Sequence, residues 1–427
     1  MLGRFDPLQK EVTVIGGGIA GLLAAYTLDK RGYRVTLYEE KERLGGLLWT
    51  RKSDRGLIEN AAHSFLATLP VRKLCQDLGV DLLPVRPESK ARFILRKGKL
   101  RKFPLTLGET LQALFRAFFI PSRGPLPHMT LADWGRHFLG EAALKNLLTP
   151  FVHGIHGVDP DQLTVSTVYP VLEIPRGYSF LLFFCLKRLR RGFAKKPPRP
   201  QMMAPRQGMS EWVDALEGVL RKRLEGRIHL GIRIKDLPER GNIVLAVPAE
   251  SAVALLNRID PTLSMALRDV RYAPLISVTT FVERKSLRQV PRGVGVLVAP
   301  GEQNRCLGIL FNSSAFDGRV LDATAWVSCT LMFDASWIQA PEESIQSQVH
   351  QELQSLFGFQ GEAMACTIVR HIRAIPVHNQ NLKNVWDLAS VGWCADVGHV
   401  LFGNYTGALS LRGMIEAMER VPDHIPS

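Results

Sequence analysis

Between Glu11 and Glu40, the order of apolar and polar positions predicts a strand, a helix and a second strand. Val12–Ile15 is a short β-branched run that stops at three consecutive glycines, and Leu22–Leu28 follows with a helical pattern. Arg34–Tyr38 then has the pattern of a second strand. The whole stretch, Glu11–Glu40, has the length of one βαβ unit, so we expect parallel strands here.

The remainder of the chain predicts further helices and a second sheet. Helical patterns cover Glu109–Phe119, Leu131–Leu148 and Ser210–Leu224, and a glycine turn leads into a last helix within Gly403–Met418. Asn242–Val247 has the continuous apolar character of a buried strand. Four more runs are expected to pair as antiparallel strands: Ile276–Val282, Gly293–Val298, Leu307–Phe311 and Ala325–Phe333.

Length and composition narrow the class of protein. The 427 residues are 46% hydrophobic and 22% charged, which excludes collagen, coiled coil and global disorder and predicts two or three domains. The longest stretch without Asp, Glu, Lys or Arg is Val12–Leu28, and four glycines interrupt it, so no membrane span is predicted. Charges at Asp6, Lys10 and Glu11 argue against a secretory signal, and we expect a cytoplasmic protein.

Cysteine spacing and net charge add two expectations. The six cysteines are scattered without a CxxC pair, which favours free thiols over disulfides or a zinc site. The net charge is +14, and it is concentrated in Lys90–Lys102 and Lys187–Arg199, each with seven basic residues in thirteen. Such an excess attracts polyanions, whether nucleic acid, an anionic membrane or a small acidic substrate.

The glycine turn after the first strand has the spacing of a dinucleotide-binding motif. Gly16 permits the tight turn, Gly18 lets the backbone approach a pyrophosphate, and Gly21 allows close packing of helix and strand. Glu39 ends the next strand, where a carboxylate accepts hydrogen bonds from ribose hydroxyls. The alternative is a tight turn with a surface glutamate. It does not explain why the turn lies between a strand and a helix and why Glu39 ends the next strand.

A second glycine pair, Gly45-Gly46, follows Arg43 directly. A nicotinamide enzyme does not need this pair, whereas a longer flavin cofactor needs the chain to pass close to its ribityl part. An ordinary turn with a solvated arginine is the alternative, and the spacing after Glu39 favours FAD.

Other candidate ligands have simpler interpretations. His153 and His156 lie three residues apart, but no third metal ligand is near, so ordinary hydrogen-bonded histidines are expected and no metal is assigned. Trp212 and Trp386 could stack on a cofactor, and core packing is the default for both.

Tyr178–Arg191 combines five apolar residues, Phe180–Phe184, with clustered Lys and Arg. The segment is either an anchor on anionic lipid or a buried helix with a solvated basic end, and the residues alone favour neither. No motif for RNA or DNA supports a nucleic-acid partner.

Several segments, in order along nearly the whole chain, resemble one enzyme family. Val14–Gly21, Glu39–Gly46 and Gly403–Leu411 are similar to the flavin monoamine-oxidase-like superfamily. Pro150–Leu163 and the strand pair within Pro291–Phe316 are similar to its protoporphyrinogen/coproporphyrinogen oxidase branch. The resemblance implies an FAD-dependent oxidoreductase of haem biosynthesis, which oxidises a porphyrinogen by removing six electrons in three hydride transfers.

The resemblance also implies site residues. The FAD positions are Gly16, Gly17, Gly18, Ile19, Ala20, Gly21, Glu39, Arg43, Gly45, Gly46, Leu47, Ala61, Ala62, His63, Ser64, Ile234, Gly403, Leu409, Ser410 and Leu411. Arg92 would pair with a substrate propionate, since a guanidinium fork suits a carboxylate. The tetrapyrrole cavity would be lined by Gly154, Val294, Gly295 and Leu297, with no acid or base assigned.

The fold class implied is mixed α/β, with a Rossmann-like FAD domain of the p-hydroxybenzoate-hydroxylase type. We expect this domain at 1–65, 205–275 and 385–427, and a mixed-sheet substrate domain at 66–89 and 276–384. A helical membrane-facing domain would occupy 90–204. The expected partners are a tetrapyrrole substrate and the anionic inner face of a membrane. Association as a homodimer and binding of a downstream haem-pathway enzyme are further options.

Two alternatives stay open. An amine oxidase or carotenoid-type desaturase would keep the flavin, but only Tyr405 stands near the last glycine turn, and Arg92 suits an acidic substrate. A protein that binds FAD or a tetrapyrrole without catalysis is suggested by two departures from the family pattern, Ala61-Ala62 in place of the flexible glycine loop and Gly413 in place of an aspartate. A third departure, Val377-His378 in the proline loop, bears on substrate choice.

Overall fold

A computed structural model of the chain describes residues 10–190, 199–361 and 364–420. The architecture is mixed α/β, which confirms the predicted fold class. The strands are β1 (Glu11–Ile15), β2 (Arg34–Tyr38), β3 (Thr50–Lys52), β4 (Leu57–Glu59), β5 (Phe65–Ala67), β6 (Leu82–Pro84), β7 (Arg92–Arg96), β8 (Lys99–Arg101), β9 (Gln201–Pro205), β10 (Ile228–His229), β11 (Asn242–Leu245), β12 (Tyr272–Glu283), β13 (Gly295–Val298), β14 (Gly308–Leu310), β15 (Trp326–Phe333), β16 (Ala365–Pro376) and β17 (His399–Leu401).

The helices alternate with these strands. They are α1 (Ile19–Lys30), α2 (Leu69–Leu78), α3 (Leu107–Phe119), α4 (Leu131–Phe138), α5 (Glu141–Ala143), α6 (Thr149–His156), α7 (Val165–Val168), α8 (Phe180–Arg190), α9 (Ser210–Leu224), α10 (Ala249–Leu256), α11 (Pro261–Arg268), α12 (Asn312–Ala315), α13 (Glu342–Phe357), α14 (Gln380–Val391) and α15 (Leu411–Arg420). A π-helical turn, Leu144–Leu148, joins α5 to α6.

The five-stranded sheet has the order β10-β2-β1-β11-β17, and every neighbouring pair is parallel. Its central strands are buried, as their β-branched sequences predict, and α1 and α9 cover one face. Because all five strands run the same way, the residues that follow each of them meet at one edge of the sheet. This shared edge collects chain segments that are hundreds of residues apart.

The seven-stranded sheet has the order β16-β12-β15-β14-β13-β7-β8. The four strands predicted to pair antiparallel do so, and the 12-residue strands β12 and β16 form the longest pairing. One pairing differs from expectation, because β13 also lies parallel to β7. Residues 92–101, which the sequence analysis grouped with the helical segment, therefore form the edge of this sheet.

Pairing register separates the two faces of the seven-stranded sheet. Side chains of directly paired residues lie on the same face. One face, here called the core face, carries Val278, Val296, Ile309 and Leu331 and packs against the buried side of α13. The opposite face, here called the site face, carries Arg92, Gly295, Leu297, Leu310, Met332, Leu275, Ser277, Thr279 and His371.

The helical region between β8 and β9 differs from its predicted pattern. The run Leu131–Leu148, predicted as one helix, breaks at Gly140, whose φ of 87° ends α4. A glycine adopts this left-handed conformation without the clash that a Cβ would cause. The chain then resumes through α5 and the π-helical turn, so α6 starts at a new angle with Gly154 near its end.

Candidate cofactor and substrate site

The glycine turn between β1 and α1 has the geometry that a pyrophosphate requires. A Cβ on Gly21 would lie 1.8 Å from the Gly16 carbonyl oxygen, so the third glycine is required by packing. A Cβ on Gly18 would meet nothing within 4 Å, so this backbone position faces open space. The following helix begins at Ile19-Ala20 without a side-chain cap or an acidic residue in its first turn. Its free N–H groups and dipole are therefore available to an anion.

Glu39 lies at the same edge, directly after β2. Its carboxylate accepts the backbone N–H of Gly17 at 2.6 Å and that of Lys41 at 3.0 Å, and the remaining lone pairs are left for ribose hydroxyls. The segment after β10 runs alongside, because Ile232 donates its N–H to the Glu39 carbonyl at 2.9 Å. Ile234 follows two residues later and packs beside the core under β1 and β11. The structure thus brings the predicted ribose and adenine positions together.

Gly45 and Gly46 sit directly against the first glycine turn. Gly45 donates its N–H to the Gly17 carbonyl at 2.8 Å, and a Cβ on Gly46 would lie 3.1 Å from the Gly18 Cα. Arg43 is not a freely solvated charge. Its guanidinium donates to the Gly46 carbonyl at 2.8 Å and so stabilises the turn that its own neighbours form. Both glycines have positive φ, which explains why the sequence needs them.

The loop of residues 60–64 connects this edge to the site face. Asn60 donates its side-chain N–H to the Leu47 carbonyl at 3.0 Å, and the backbone carbonyl of Asn60 contacts His371 Nε2 at 2.8 Å. Leu47 is 49% exposed, and the four residues that follow Asn60 (Ala61, Ala62, His63 and Ser64) are partly buried. The loop therefore runs from the second glycine pair to the second sheet, as a chain beside a long cofactor must.

The last predicted cofactor segment, Gly403–Leu411, follows β17 at the same sheet edge. The Thr406 hydroxyl closes the turn on Gly403, and the Ser410 hydroxyl accepts the N–H of Gly413 at the start of α15. The Ser410 hydroxyl thus caps this helix, with Gly413 at the position where the family pattern has an aspartate. Leu409 lies between these two turns and is partly buried.

The aromatic residues near this turn are structural. Tyr405 is 1% exposed and donates its hydroxyl to the Val247 carbonyl at 3.0 Å, while Trp386 donates its indole N–H to the Tyr405 carbonyl. Trp212 is buried and stacks on Phe65. Core packing, the default expectation for both tryptophans, accounts for them.

Most of the predicted substrate residues meet on the site face. Arg92 is paired in register with Gly295 at the edge of the sheet and is exposed. A Cβ on Gly154 of α6 would lie 2.4 Å from Leu297 Cδ2, so α6 packs closely on β13. Val294 is separate from this group, because its side chain is buried beside Ala315 and Phe316.

A buried ion pair that sequence reasoning missed joins the two regions. Glu59 and Arg319 are each 4% exposed, and Arg319 Nη1 lies 3.8 Å from Glu59 Oε1. Glu59 also accepts the Thr50 hydroxyl at 2.7 Å and the Met209 N–H at 3.0 Å. Burial raises the pKa of Glu59 despite these hydrogen bonds, and burial lowers the pKa of Arg319. A lone arginine after a loop glycine has no sequence pattern that identifies it.

His63 lies beside this ion pair. Its Nε2 is enclosed without a hydrogen-bond partner, and burial, followed by the nearby Arg319 charge, lowers the pKa of the imidazole to about 4. The histidine is therefore neutral at physiological pH. A position that the resemblance assigns to the cofactor thus carries a side chain with acid–base character of its own.

His153, His156, His378 and the cysteines have partners or surroundings unlike those of a metal site. His153 pairs with Asp159 at 2.7 Å, and His156 contacts the Tyr169 hydroxyl at 3.1 Å. His378, in the proline loop, is buried and contacts the Pro376 carbonyl. In the ranges that the structure covers, no three metal-ligating side chains converge, and all six cysteines are free thiols.

A dinucleotide cleft on a parallel sheet, continued by a second glycine pair toward a mixed sheet, defines an FAD-dependent oxidoreductase. The family model of flavin-containing amine oxidoreductases matches residues 19–371, so the chain belongs to this family. The residues around Gly18, Glu39 and Gly46 fit FAD, and FAD is the cofactor. The predicted cofactor and enzyme class are thus confirmed.

Three comparisons place the chain near porphyrinogen oxidases. The mitochondrial protoporphyrinogen oxidase of Nicotiana tabacum is 26% identical over 94% of this chain and 92% of its own length. The coproporphyrinogen III oxidase of Propionibacterium freudenreichii subsp. freudenreichii is 25% identical over 87% of this chain and 82% of its own. A solved structure, provisionally assigned as a protoporphyrinogen oxidase from Exiguobacterium sp. 255-15, superposes with a TM-score of 0.74 at 20% identity, covering 98% of both chains.

Proposed function

We propose that the chain oxidises a porphyrinogen, in haem biosynthesis, to the corresponding porphyrin. The observation that carries this proposal is the site face of the seven-stranded sheet. Leu275, Leu297, Leu310 and Met332 are half-buried there on four adjacent strands and form an apolar platform, with Gly154 and Gly157 at the end of α6 packed over the part at Leu297 and Leu275. A flat macrocycle is the kind of ligand that covers such a platform, because it removes apolar surface from water without needing a deep pocket.

Arg92 supplies recognition at the rim of this platform. It starts the strand that pairs with β13, so its backbone is fixed while its side chain is exposed. A guanidinium donates two parallel hydrogen bonds to a carboxylate, and porphyrinogens carry propionate groups at their periphery. Arg92 therefore orients the macrocycle over Leu297 and Leu310.

The residues of the chain bind and orient the substrate and exclude water from it. Bound FAD, held by the backbone around Gly18, Glu39 and Gly46, would supply the hydride acceptor for each of the three rounds and the route for electrons to oxygen or another acceptor. Gly295 has no side chain, and a Cβ there would lie 2.4 Å from the Ile309 carbonyl oxygen. Backbone carbonyls around this close approach stabilise charge that develops on pyrrole nitrogens.

The flavin alternatives fit this site less well. An amine oxidase that binds the amine nitrogen between aromatic rings would need Tyr405, but this side chain is buried and its hydroxyl is engaged with Val247. The exposed Arg92 is unsuited to a carotenoid, which has no carboxylate. A non-catalytic role gains nothing from Gly413, because Ser410 caps the helix there.

Anaerobic reduction of the purified flavoprotein tests the proposal. We expect protoporphyrinogen or coproporphyrinogen to bleach the flavin absorbance, and admission of oxygen to restore it with release of the porphyrin. Bleaching by amines alone would indicate an amine oxidase, and no bleaching by any of these compounds would indicate a binding protein. Comparison of turnover with the two porphyrinogens then identifies the substrate.

We also propose that the helical region docks on an anionic membrane surface. Leu107, Leu111, Phe115, Phe118 and Phe119 of α3 lie on one side of the helix, and each is at least 47% exposed. In α8, by contrast, Phe180 packs edge-on against the buried Trp134, so the five-residue apolar run is partly core. The apolar surface is thus centred on α3, which the sequence analysis did not single out.

Basic residues flank this apolar side of α3. The hairpin of β7 and β8 presents exposed Lys97, Lys99 and Arg101, and α8, which packs against α3, ends in exposed Arg188 and Arg190. An apolar face bordered by cations is typical of interfacial helices on anionic lipid. Across the described residues, the helices are too short or too polar to cross a bilayer.

Sedimentation with vesicles tests the membrane proposal. We expect binding to vesicles that contain phosphatidylglycerol and little binding to pure phosphatidylcholine. The double variant Phe115→Ser/Phe118→Ser should lose most of this binding, whereas Val391→Ser, an exposed apolar residue on α14, should not. Equal binding of all three proteins would contradict the assignment to α3. The domain limits, the cytoplasmic location, the homodimer and the downstream enzyme stay predictions.

A further inference from the structure

A small cavity lies between the cofactor loop and the seven-stranded sheet. Its volume is about 20 Å³, and it is lined on one side by His63 and Ser64 and on the other by Val294, Leu310 and Asn312. A cavity holds one water molecule when its volume on this measure exceeds roughly 10–15 Å³. The cavity is therefore large enough for a single water between the loop and the sheet.

Two polar atoms beside this cavity lack hydrogen-bond partners. His63 Nε2 and Arg319 Nη1 are both enclosed and lack a hydrogen-bond partner. A buried polar atom without a partner costs free energy unless a ligand or water satisfies it. Among the residues that line the cavity, Glu59 and Arg319 carry the charges that face His63. The two side chains pair with each other at 3.8 Å, and the Arg319 cation still lies near enough to His63 to lower the pKa of the imidazole.

A strip of polar side chains leads from the site face to this cavity. Asn312 donates its side-chain N–H to the Thr330 hydroxyl at 2.8 Å, and the hydroxyls of Thr330 and Thr279 lie 3.0 Å apart. These residues are at most 8% exposed, and the two threonines lie on the site face beside Leu310. These hydrogen-bonded side chains connect the cavity, which Asn312 lines, to the apolar platform at Leu310.

We propose that His63 takes up the proton that the substrate loses in each round of oxidation, an inference that rests on the proposed function. A meso C–H bond breaks and its electron pair leaves with the hydride to the flavin. The lone pair of the neighbouring pyrrole nitrogen closes a C=N bond to the cation that remains, a pyrrole N–H bond then breaks with its electron pair left on nitrogen, and the proton binds the lone pair of His63. Three rounds release three hydrides and three protons, and one tautomeric shift of a meso hydrogen to nitrogen leaves the porphyrin with two of its four N–H groups. The single water that fits in the cavity connects the ring nitrogen to Nε2.

The surroundings of His63 support this role. Burial and Arg319 hold the pKa of His63 at about 4, so the imidazole has a free lone pair at every physiological pH. The same surroundings disfavour the protonated ring, so the proton passes on to solvent before the next round. Arg319 is thus a positioning residue, because it acts through His63 and through its own hydrogen bond to the Pro205 carbonyl.

Anaerobic stopped-flow reduction of the FAD-loaded protein by the porphyrinogen tests the proposal. We expect His63→Gln to slow flavin bleaching by at least about a hundredfold, the usual size of a general acid–base contribution. FAD content and affinity for the porphyrin product, followed by quenching of porphyrin fluorescence, should stay within about twofold. Free imidazole should restore bleaching in His63→Ala, whose smaller side chain leaves room for it.

A readout without turnover checks the environment of the ring. In histidine-selective nitrogen NMR of the FAD-loaded protein, the His63 signal should stay that of a neutral imidazole down to about pH 5. In Arg319→Gln the ring should protonate at higher pH, because the nearby cation is gone. His350→Gln on α13, whose Nε2 contacts the Gly361 carbonyl, serves as the matched control and should leave bleaching unchanged.

The outcomes separate the two proposals. If porphyrinogen bleaches wild type and His63→Gln at the same rate, the role of His63 is wrong and the proposed function stands. A His63 signal that titrates near its ordinary pKa also contradicts the role. If no porphyrinogen bleaches the wild-type flavin, the proposed function fails and the role of His63 falls with it.

Discussion

The edge of the five-stranded sheet and the site face of the seven-stranded sheet are built in opposite ways. At the edge, backbone groups and glycines do the work: Gly45 bonds to Gly17, and Gly18 faces open space. On the site face, side chains from six strands form most of the surface, and most backbone groups pair within the sheet. FAD, a cofactor common to many proteins, is thus held by main-chain groups that every protein has. The proposed substrate would be held by side chains particular to this chain.

The comparison also separates what each region can tolerate. A glycine substitution at the edge blocks the approach of the cofactor to the main chain and should remove most of the bound FAD. A substitution on the site face changes one contact among many and alters affinity by degrees. The predictions below run from the largest expected effect to the smallest.

Replacement of Gly18 tests whether the edge binds FAD through its backbone. Because a Cβ there meets open space, Gly18→Val should fold, but its side chain should block the approach of the pyrophosphate. We expect at least a tenfold loss in the ratio of FAD to protein after purification. Gly218→Val on α9, also facing open space, is the control. A fully yellow Gly18→Val protein would contradict the assignment.

Disruption of the buried ion pair tests the junction between the two regions. Arg319→Gln leaves Glu59 buried without its cation, and such a change costs about 3–5 kcal/mol. Chemical denaturation should show this loss in the free energy of unfolding. Lys383→Gln removes an exposed pair with Asp387 on α14 and should cost less than about 1 kcal/mol. Similar values for the two variants would mean that the buried pair does not hold the junction.

Replacement of Arg92 tests the rim of the platform. Arg92→Ala removes a charge-assisted hydrogen bond worth about 1.5–3 kcal/mol, so KM for the porphyrinogen should rise about 10- to 100-fold. FAD content should not change, because Arg92 lies on the other sheet. Arg92→Lys should be intermediate, and the exposed Arg258→Ala should behave as wild type. Unchanged kinetics in Arg92→Ala would remove this residue from the site.

The smallest effect concerns the attachment of α3 to the seven-stranded sheet. Glu109 accepts two hydrogen bonds from Arg96 at 2.6 Å, and this hydrogen bonding lowers the pKa of Glu109 to about 2. The lowered pKa contributes stability above pH 4.5 that is lost as the pH falls toward 2. In Glu109→Gln, this part of the acid dependence of unfolding should be absent. Identical acid titrations for both proteins would contradict the contribution of this pair.

Prediction from sequence was most successful where the physical requirement is local. Ser210–Leu224 and Arg34–Tyr38 have the predicted bounds, because hydrophobic periodicity within one element reports its buried face. The break at Gly140 and the parallel pairing of β13 with β7 were not predicted. Each depends on packing against residues that are distant in the chain. The hydrophobic pattern within a short stretch of sequence carries no information about that packing.

The site shows the same division. The cofactor segments were recognisable because glycine spacing is a requirement of the main chain within a few residues. Arg319 was missed, since nothing in its neighbourhood distinguishes a buried arginine from a solvated one. The apolar face of α3 was missed too, because an exposed and a buried amphipathic helix have the same periodicity.

The sequence by itself determined the cofactor: the turn at Gly16–Gly21, Glu39 and Gly45-Gly46 specify FAD through local backbone geometry. Only the tertiary structure decided which side chains share the platform, that Glu59 is buried against Arg319, and that His63 is neutral beside them. The reason is that burial and charge environment are properties of space around an atom. They arise from strands that meet across more than two hundred residues, and the order of residues along one strand does not contain them.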